Sequence, residues 1–245
     1  MSTLYVVGTP IGNLEDLSPR AARILSEVDA VAAEDTRVTR KIYERFNLSA
    51  PRIRFSCHEH NEEHAVQRIL GLLASGRDVA LCSDGGMPAI SDPGYLVINA
   101  CRAAGHAIEV IPGPSAVTAA LVASGLPGAS FTFKGFAPRK SGARQRFLDE
   151  EREAPHTLVL FESPYRLVKL LRDALETLGD RQAAVCLELT KKFETVHRGY
   201  LSELIATLQA MNAIRGEATV VIAGNNPKFT NASPCSDTTA LSGGS

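Results

Sequence analysis

Short β-branched runs alternate with longer helical patterns along most of the chain. Residues Leu4–Val7, Ala30–Ala33, Val79–Cys82, Ala107–Ile111, Thr132–Gly135, Leu158–Phe161, Ala184–Leu187 and Thr219–Ala223 read as strands. The runs Val79-Ala80-Leu81-Cys82 and Leu158-Val159-Leu160-Phe161 are apolar at every position. Strands of that kind belong to sheets covered by helices on both faces. Between two of them, Leu167, Leu170, Leu171, Ala174, Leu175 and Leu178 recur at three- and four-residue steps, which predicts an amphipathic helix. Ser18-Pro19 and Ser163-Pro164 each predict an N-cap followed by proline in the first helical position. The class is α/β.

The turn-forming stretch Ser124-Gly125-Leu126-Pro127-Gly128-Ala129 interrupts this rhythm near the middle. It predicts a boundary between an N-terminal α/β domain over 1–123 and a second over 124–224. From Asn225 onward the pattern ends, since 14 of the last 21 residues are Ser, Thr, Asn, Gly or Pro. That composition predicts a disordered polar tail over 225–245.

With 245 residues, 44% of them apolar and 22% charged, the chain has the composition of a globular protein with a full core. Its apolar runs all fall short of the roughly 20 residues that cross a bilayer, and its start does not resemble a signal peptide. No membrane partner is therefore expected. Five scattered cysteines, two of them in strand-like runs (Cys82 and Cys186), suit a reduced cytoplasmic protein.

A net charge of −1 does not mark a polyanion binder, but the distribution of charge changes that picture. Residues 37–54 carry Arg37, Arg40, Lys41, Arg45, Arg52 and Arg54 against one acid, Glu44. Residues 134–146 carry Lys134, Arg139, Lys140, Arg144 and Arg146 and no acid. Such windows are either phosphate-binding patches or solvated faces.

Nucleotide motifs are missing. Gly8-Thr9-Pro10-Ile11-Gly12-Asn13 follows the first strand where a dinucleotide loop would stand, with the wrong spacing, and there is no Walker lysine motif. Asp84 follows the strand Val79–Cys82 at a carboxyl edge, where open α/β sheets bind ligands, and the glycines after it let backbone approach a ligand closely. Pro112-Gly113-Pro114-Ser115 ends a strand and opens a helix whose first amides suit a carboxylate. Glu34-Asp35-Thr36-Arg37 reads as a capped helix start or as site chemistry beside the basic window. His60 and His64 share an i, i+4 spacing, but a third ligand is not apparent. Substrate contact or helix capping is the better reading for His58 and His60, and no metal is expected.

Eight segments in one order resemble a known family: Gly8–Leu14, Ala33–Arg37, His58–Glu62, Ser91–Gly94, Pro112–Ala116, Gly135–Lys140, Glu162–Arg166 and Glu188–Lys191. The chain resembles the (cytidine-2′-O)-methyltransferase branch of the tetrapyrrole (corrin/porphyrin) methylases, which acts on small-subunit ribosomal RNA. The resemblance runs from residue 3 to about 224. It implies two α/β/α domains with S-adenosylmethionine (SAM) in a cleft between them, and a homodimer. Cofactor contacts are implied at Pro10, Asp84, Gly85, Gly86, Met87, Ser115, Ala116, Phe161, Leu189 and Ala218. The implied partner is 16S rRNA or the small ribosomal subunit, met by Asn13, Arg37, His58, His60, Arg139, Lys140 and Arg144. Two departures stand out. Met87 replaces the family's usual threonine in the Ser83–Pro88 loop, and the polar tail stands where the family commonly continues into a small helical domain, from which weaker RNA binding is expected.

Methyl transfer to a ribose hydroxyl needs in-line positioning and removal of the hydroxyl proton. Glu34 and Asp35 are the candidate bases, and Lys191 is the candidate cation for a developing alkoxide or a phosphate. Three alternatives compete: a methylase of a tetrapyrrole or other small molecule, a non-catalytic RNA- or ribosome-binding module, and a metal hydrolase.

Overall fold

A computed structural model describes residues 2–231. They form two compact units, one of residues 2–119 with Glu188–Glu194, the other of residues 120–187 with residues 195–231. The chain therefore changes unit inside a helix, Ala116–Ser124, and not in the Ser124–Ala129 turn.

In the first unit, strands β1 (Thr3–Val7), β2 (Ala30–Ala33), β3 (Ile53–Ser56), β4 (Val79–Cys82) and β5 (Ala107–Ile111) pair in the order β3-β2-β4-β1-β5, all parallel. Helices α1 (Pro19–Glu27), α2 (Thr36–Arg45), α3 (Glu62–Ala74) and α4 (Tyr95–Ala103) link them. Alternation along each strand sorts the core. Leu4, Val6, Ala30, Ala32, Val79 and Leu81 pack with Ile69 and Leu73 of α3 and Val97 of α4. Val7, Val31, Ala33, Ala80 and Cys82 pack instead with Ile24 and Leu25 of α1 and Ile42 and Tyr43 of α2. Both faces of the sheet are covered, which is why its strands read as unbroken apolar runs. Ser18 caps α1 as expected, its side chain accepting the Ala21 N–H, with Pro19 in the first turn.

Helix α5 (Ala116–Ser124) leads into the second unit, whose strands are β6 (Phe131–Phe136), β7 (Thr157–Glu162), β8 (Gln182–Leu187), β9 (Thr195–Tyr200) and β10 (Ala218–Ile222). Their order is β6-β7-β10-β8-β9, parallel only between β6 and β7. Helices α6 (Ser141–Asp149), α7 (Leu167–Leu178) and α8 (Leu201–Ala210) cover one face. Leu167, Leu170 and Leu171 of α7 are fully buried there, each contributing about 1.5–3 kcal/mol of apolar burial. Helix α7 starts three residues later than its Ser-Pro signal suggests. Residues Ser163 to Arg166 form a turn closed by the Arg166 N–H on the Ser163 carbonyl, at 2.9 Å.

Residues 225–231 are also tied down, contrary to the tail expectation. The Asn225 N–H donates to the Ala154 carbonyl at 2.7 Å and the Asn231 N–H to the Asp180 carbonyl at 2.8 Å. The rest of that expectation, and Cys235, fall on residues 232–245, outside the described residues. Cys57, Cys82, Cys101 and Cys186 are buried thiols. Among the described residues no helix is long and apolar enough to cross a membrane.

Candidate functional site

The parallel sheet of the first unit points all its carboxyl ends to one edge. In the order β3-β2-β4 these ends deliver His58, Glu34 and Asp84 as neighbours. Hydrogen bonds lock the loops together: the Asp84 N–H donates to Glu34 Oε2 at 3.2 Å, and the Asp35 N–H donates to Asp84 Oδ1 at 2.9 Å. Asp35 is the N-cap of α2, accepting the Arg37 N–H at 2.8 Å, so the capped-helix reading of Glu34–Arg37 holds.

Charges at this edge diverge sharply. Burial, then the neighbouring Asp84 and Asp35 charges, pushes Glu34 above the ordinary glutamate value, with His58 and the Asp84 N–H opposing. Asp84 is likewise raised, chiefly by burial. Asp35 goes the other way, to about 2, because the Arg37 guanidinium and backbone N–H bond to its carboxylate. The Arg37 contacts are Nη2 to Oδ2 at 2.6 Å and Nε to Oδ1 at 3.0 Å. Sequence reasoning offered Glu34 and Asp35 as equals; the geometry makes one a strong base candidate and the other a clamped cap.

Three loops converge beside this edge. Thr9 and Gly86 exchange backbone hydrogen bonds of 2.9 and 3.0 Å. A Cβ added at Gly8 would stand 2.6 Å from the Gly113 nitrogen and 2.6 Å from Met87 Sδ, so both glycines are required by close approach of backbones. A Cβ at Gly85 would lie 3.4 Å from the Pro10 carbonyl oxygen, and one at Gly86 3.7 Å from that of Pro114. The expected cofactor positions Pro10, Asp84, Gly85, Gly86, Met87, Ser115 and Ala116 are thus brought into one neighbourhood. The Met87 side chain packs partly into the α3–α4 core, which accounts for an apolar residue there. Ala89 and Ser91 in the same loop have φ of 68° and 62°, a left-handed conformation that non-glycine residues seldom adopt.

A second group forms around the segment Glu188–Glu194. Its Thr190 Oγ1 accepts the Asn13 N–H at 3.0 Å, and a Cβ at Gly12 would meet Lys191 Cγ at 2.5 Å. Asn13 and Lys191 line a cavity of about 490 Å³ with Thr190, Lys192, Glu15 and Arg45. Neither Glu34 nor Asp84 lines it, so the candidate catalytic residues fall into two groups. Lys191 Nζ bonds Glu188 Oε1 at 2.9 Å. Leu189, expected in the second domain, belongs by packing to the first unit and is buried. The cause is local backbone: Glu188 and Thr190 take φ of 52° and 64°, turning the chain out of β8.

In the second unit Phe161 and Ala218 stand on paired strands, Phe161 opposite Thr219 and Ala218 opposite Glu162. Glu162 is buried and salt-bridged to Arg166, which explains that Glu–Ser–Pro–Tyr–Arg segment structurally. Arg139 and Lys140 are exposed. Arg144 is not: its side chain is 4% exposed, its Nη2 lies 2.6 Å from Asp173 Oδ2, and its Nη1 donates to the Pro138 and Arg139 carbonyls. The expected phosphate contact at Arg144 is corrected to a buried brace beneath the Arg139–Lys140 loop. Lys134 is also committed, to Glu150 and Glu151.

Around the histidine cluster the side-chain acceptors are Asn61 and Glu62, not the imidazole rings. Asn61 Oδ1 accepts the His58 N–H at 2.8 Å, and Glu62 Oε1 accepts the Gly94 and Leu96 N–H groups at 2.9 Å each, holding the start of α4. Helix α3 begins at Glu62, so His60 precedes it and does not share a helical face with His64. Among the described residues no group of three potential ligands is arranged for a metal ion.

A doubly covered parallel sheet with its loops gathered at the carboxyl edge, followed by a mixed sheet, defines a class: residues 3–205 match the model of the Tetrapyrrole (Corrin/Porphyrin) Methylases, and the chain belongs to that family. Solved structures agree on the fold. A uroporphyrin-III-C-methyltransferase from Thermus thermophilus superposes with a TM-score of 0.65 at 24% identity over 91% of this chain and 94% of its own, and the cobalt precorrin-4 methyltransferase CbiF with 0.67 at 20% over 90% and 94%. Sequence relatives are more specific. A protein of Halalkalibacterium halodurans is 46% identical over 226 residues, 92% of this chain and 77% of its own, and one of Thermotoga maritima is 43% identical over 91% and 99%. Both carry the name ribosomal RNA small subunit methyltransferase I.

Proposed function

We propose that this chain is a SAM-dependent methyltransferase that methylates the 2′-hydroxyl of a cytidine ribose in 16S ribosomal RNA. The observation that carries this reading is the match along 92% of the chain to relatives named for small-subunit rRNA methylation. The expected homodimer and cytoplasmic location belong to the same proposal. The uroporphyrin-III and precorrin-4 methyltransferases share the fold at only 20–24% identity, against 43–46% for the relatives named for rRNA, which favours the RNA substrate over a tetrapyrrole.

The first unit's residues suit such a cofactor. The first amides of α5, after Ser115, fit a carboxylate, and the Glu34–Asp84 edge fits a ligand bearing positive charge. When bound, SAM supplies an electrophilic methyl group on a positively charged leaving group. Glu34, its carboxyl raised by burial, takes the ribose hydroxyl proton, while Asp84 holds the Asp35 backbone in register. Asp35, at about 2, is too weak a base for that task and instead fixes Arg37. Lys191, in the separate Asn13 cavity, is proposed as a phosphate contact.

The test is to incubate small ribosomal subunits lacking the modification with methyl-labelled SAM and map the label. Label on a cytidine 2′-oxygen is the expected result. Label on a base, or none with well-folded protein, would overturn the reading.

A further inference from the structure

A second cavity of the first unit, about 280 Å³, lies between α2 and the edge strand β3. Arg37 and Arg40 reach it from the helix and Arg54 from the strand, over a floor of Val31 and Tyr43, with the Thr36 hydroxyl group at the helix start. Arg54 is the ladder partner of Val31, so alternation turns it to the α2 side while Ile53 and Phe55 on either side pack with the opposite core. No acidic residue lines this cavity.

The guanidinium groups remain available for an anion. Arg37 binds Asp35 through Nε and Nη2, which leaves the Nη1 edge turned away from that pair. Arg40 meets Glu44 at 3.3 Å with both side chains about two-thirds exposed, an ion pair of little strength. Arg54 has no carboxylate partner among the described residues and is exposed. Three guanidinium-bearing residues lining one cavity offer planar donors of the kind that pair with the oxygens of a phosphodiester. Asp35 ties this cavity to the Glu34–Asp84 edge through the single residue step from Glu34.

We infer that the Arg37–Arg40–Arg54 cavity grips a phosphate of the RNA strand and so sets which ribose is presented at the Glu34–Asp84 edge. This rests on the proposed rRNA substrate and adds Arg40 and Arg54 as positioning residues. An exposed cationic face with no ligand role is the competing explanation, and salt dependence separates the two.

The probe is a labelled single-stranded RNA of about a dozen nucleotides, titrated by fluorescence anisotropy over a range of salt concentrations. Each lost phosphate contact lowers the slope of log affinity against log salt by about 0.7, so Arg54→Gln should lose about 0.7 and the Arg40→Gln/Arg54→Gln double variant about 1.4. Arg54→Lys should keep the slope and bind more weakly, because it retains charge but not the fork. Arg23→Gln on α1 is the control and should keep the unmodified slope. An unchanged slope in the double variant, or an equal loss in the control, overturns the inference. Failure of the functional reading looks different: the unmodified protein would bind no SAM by calorimetry, whatever the RNA slopes do.

Discussion

Glu34 and Asp84 hold one another's loops, Glu34 Oε2 accepting the Asp84 N–H at 3.2 Å and Asp84 Oδ1 accepting the N–H next to Glu34 at 2.9 Å. Two carboxylates are thereby kept close at the ends of adjacent strands β2 and β4. Burial raises both, with the Asp84 charge adding to the rise at Glu34 and the Asp35 charge to that at Asp84. Raised carboxyls gathered at the carboxyl edge of a parallel sheet are candidates for proton transfer.

The first prediction follows from the raised Glu34 carboxyl. A base acts when deprotonated, so methyl transfer should rise with pH through an apparent pKa above the ordinary glutamate value of 4.5. Glu34→Gln keeps an acceptor for the Asp84 N–H, so the fold should stand while kcat drops about 10²–10⁴-fold and the acidic limb of the pH profile disappears. A variant with unmodified kcat would assign proton removal elsewhere.

Asp35 titrates in the opposite sense. Its carboxyl is held at about 2 against 3.8, so the Arg37 pair stabilises the fold above pH 4 and that contribution is lost as pH falls toward 2. In Arg37→Ala the backbone N–H of residue 37 still bonds Asp35, so the carboxyl resonance should titrate above 2 but below the ordinary aspartate value. A carboxyl NMR titration reads this directly, and a midpoint still near 2 would show that the pairing is not the cause.

Arg144 separates packing from binding. Removing it leaves the buried Asp173 carboxylate without its counter-ion, bonded by the Ser141 hydroxyl, which should destabilise the protein by about 3–5 kcal/mol in a denaturant titration. Exposed Arg139 should behave conversely: Arg139→Ala changes stability by less than about 0.5 kcal/mol. If Arg144→Ala unfolds at the same denaturant concentration as the unmodified chain, the brace assigned to it is wrong.

The backbone contact between Gly8 and Gly113 gives a further expectation. A methyl group at either position meets backbone atoms of the other at 2.6–2.7 Å, so β1 and the turn before α5 must separate. Gly113→Ala should lose about 1–3 kcal/mol of stability and weaken SAM binding together, compared by denaturant unfolding and calorimetry.

What the sequence made legible follows from burial symmetry. Val79–Cys82 is apolar at each position because helices cover both faces, and its strand was readable to the residue. Strand β3, Ile53-Arg54-Phe55-Ser56, alternates as an edge strand should, but its arginine made it look like part of a basic window. Strand β9, with His197, Arg198 and Gly199, has too little apolar character to stand out. Parallel and antiparallel strands of one burial look alike, so the reversal of β8 and β10 relative to each other left no mark. At the site, Asp84, Pro10 and Glu34 were accessible because each ends a recognisable strand. Arg144 and Leu189 were misplaced because their surroundings depend on Asp173 and Gly12, 29 residues and far more away in sequence.

The segment Glu188–Glu194 has a consequence in time. The hydroxyl that accepts the Asn13 N–H belongs to Thr190, made 177 residues later. At a synthesis rate of roughly 5–20 residues per second, Thr190 is made about 10–35 s after Asn13. The five-stranded parallel sheet has all its strands by Ile111, but the wall of the Asn13–Lys191 cavity waits until β8 has been built. A nascent chain stalled before residue 188 would thus display the Gly12–Asn13 turn bare, with the methylase's first half present and its rim unfinished.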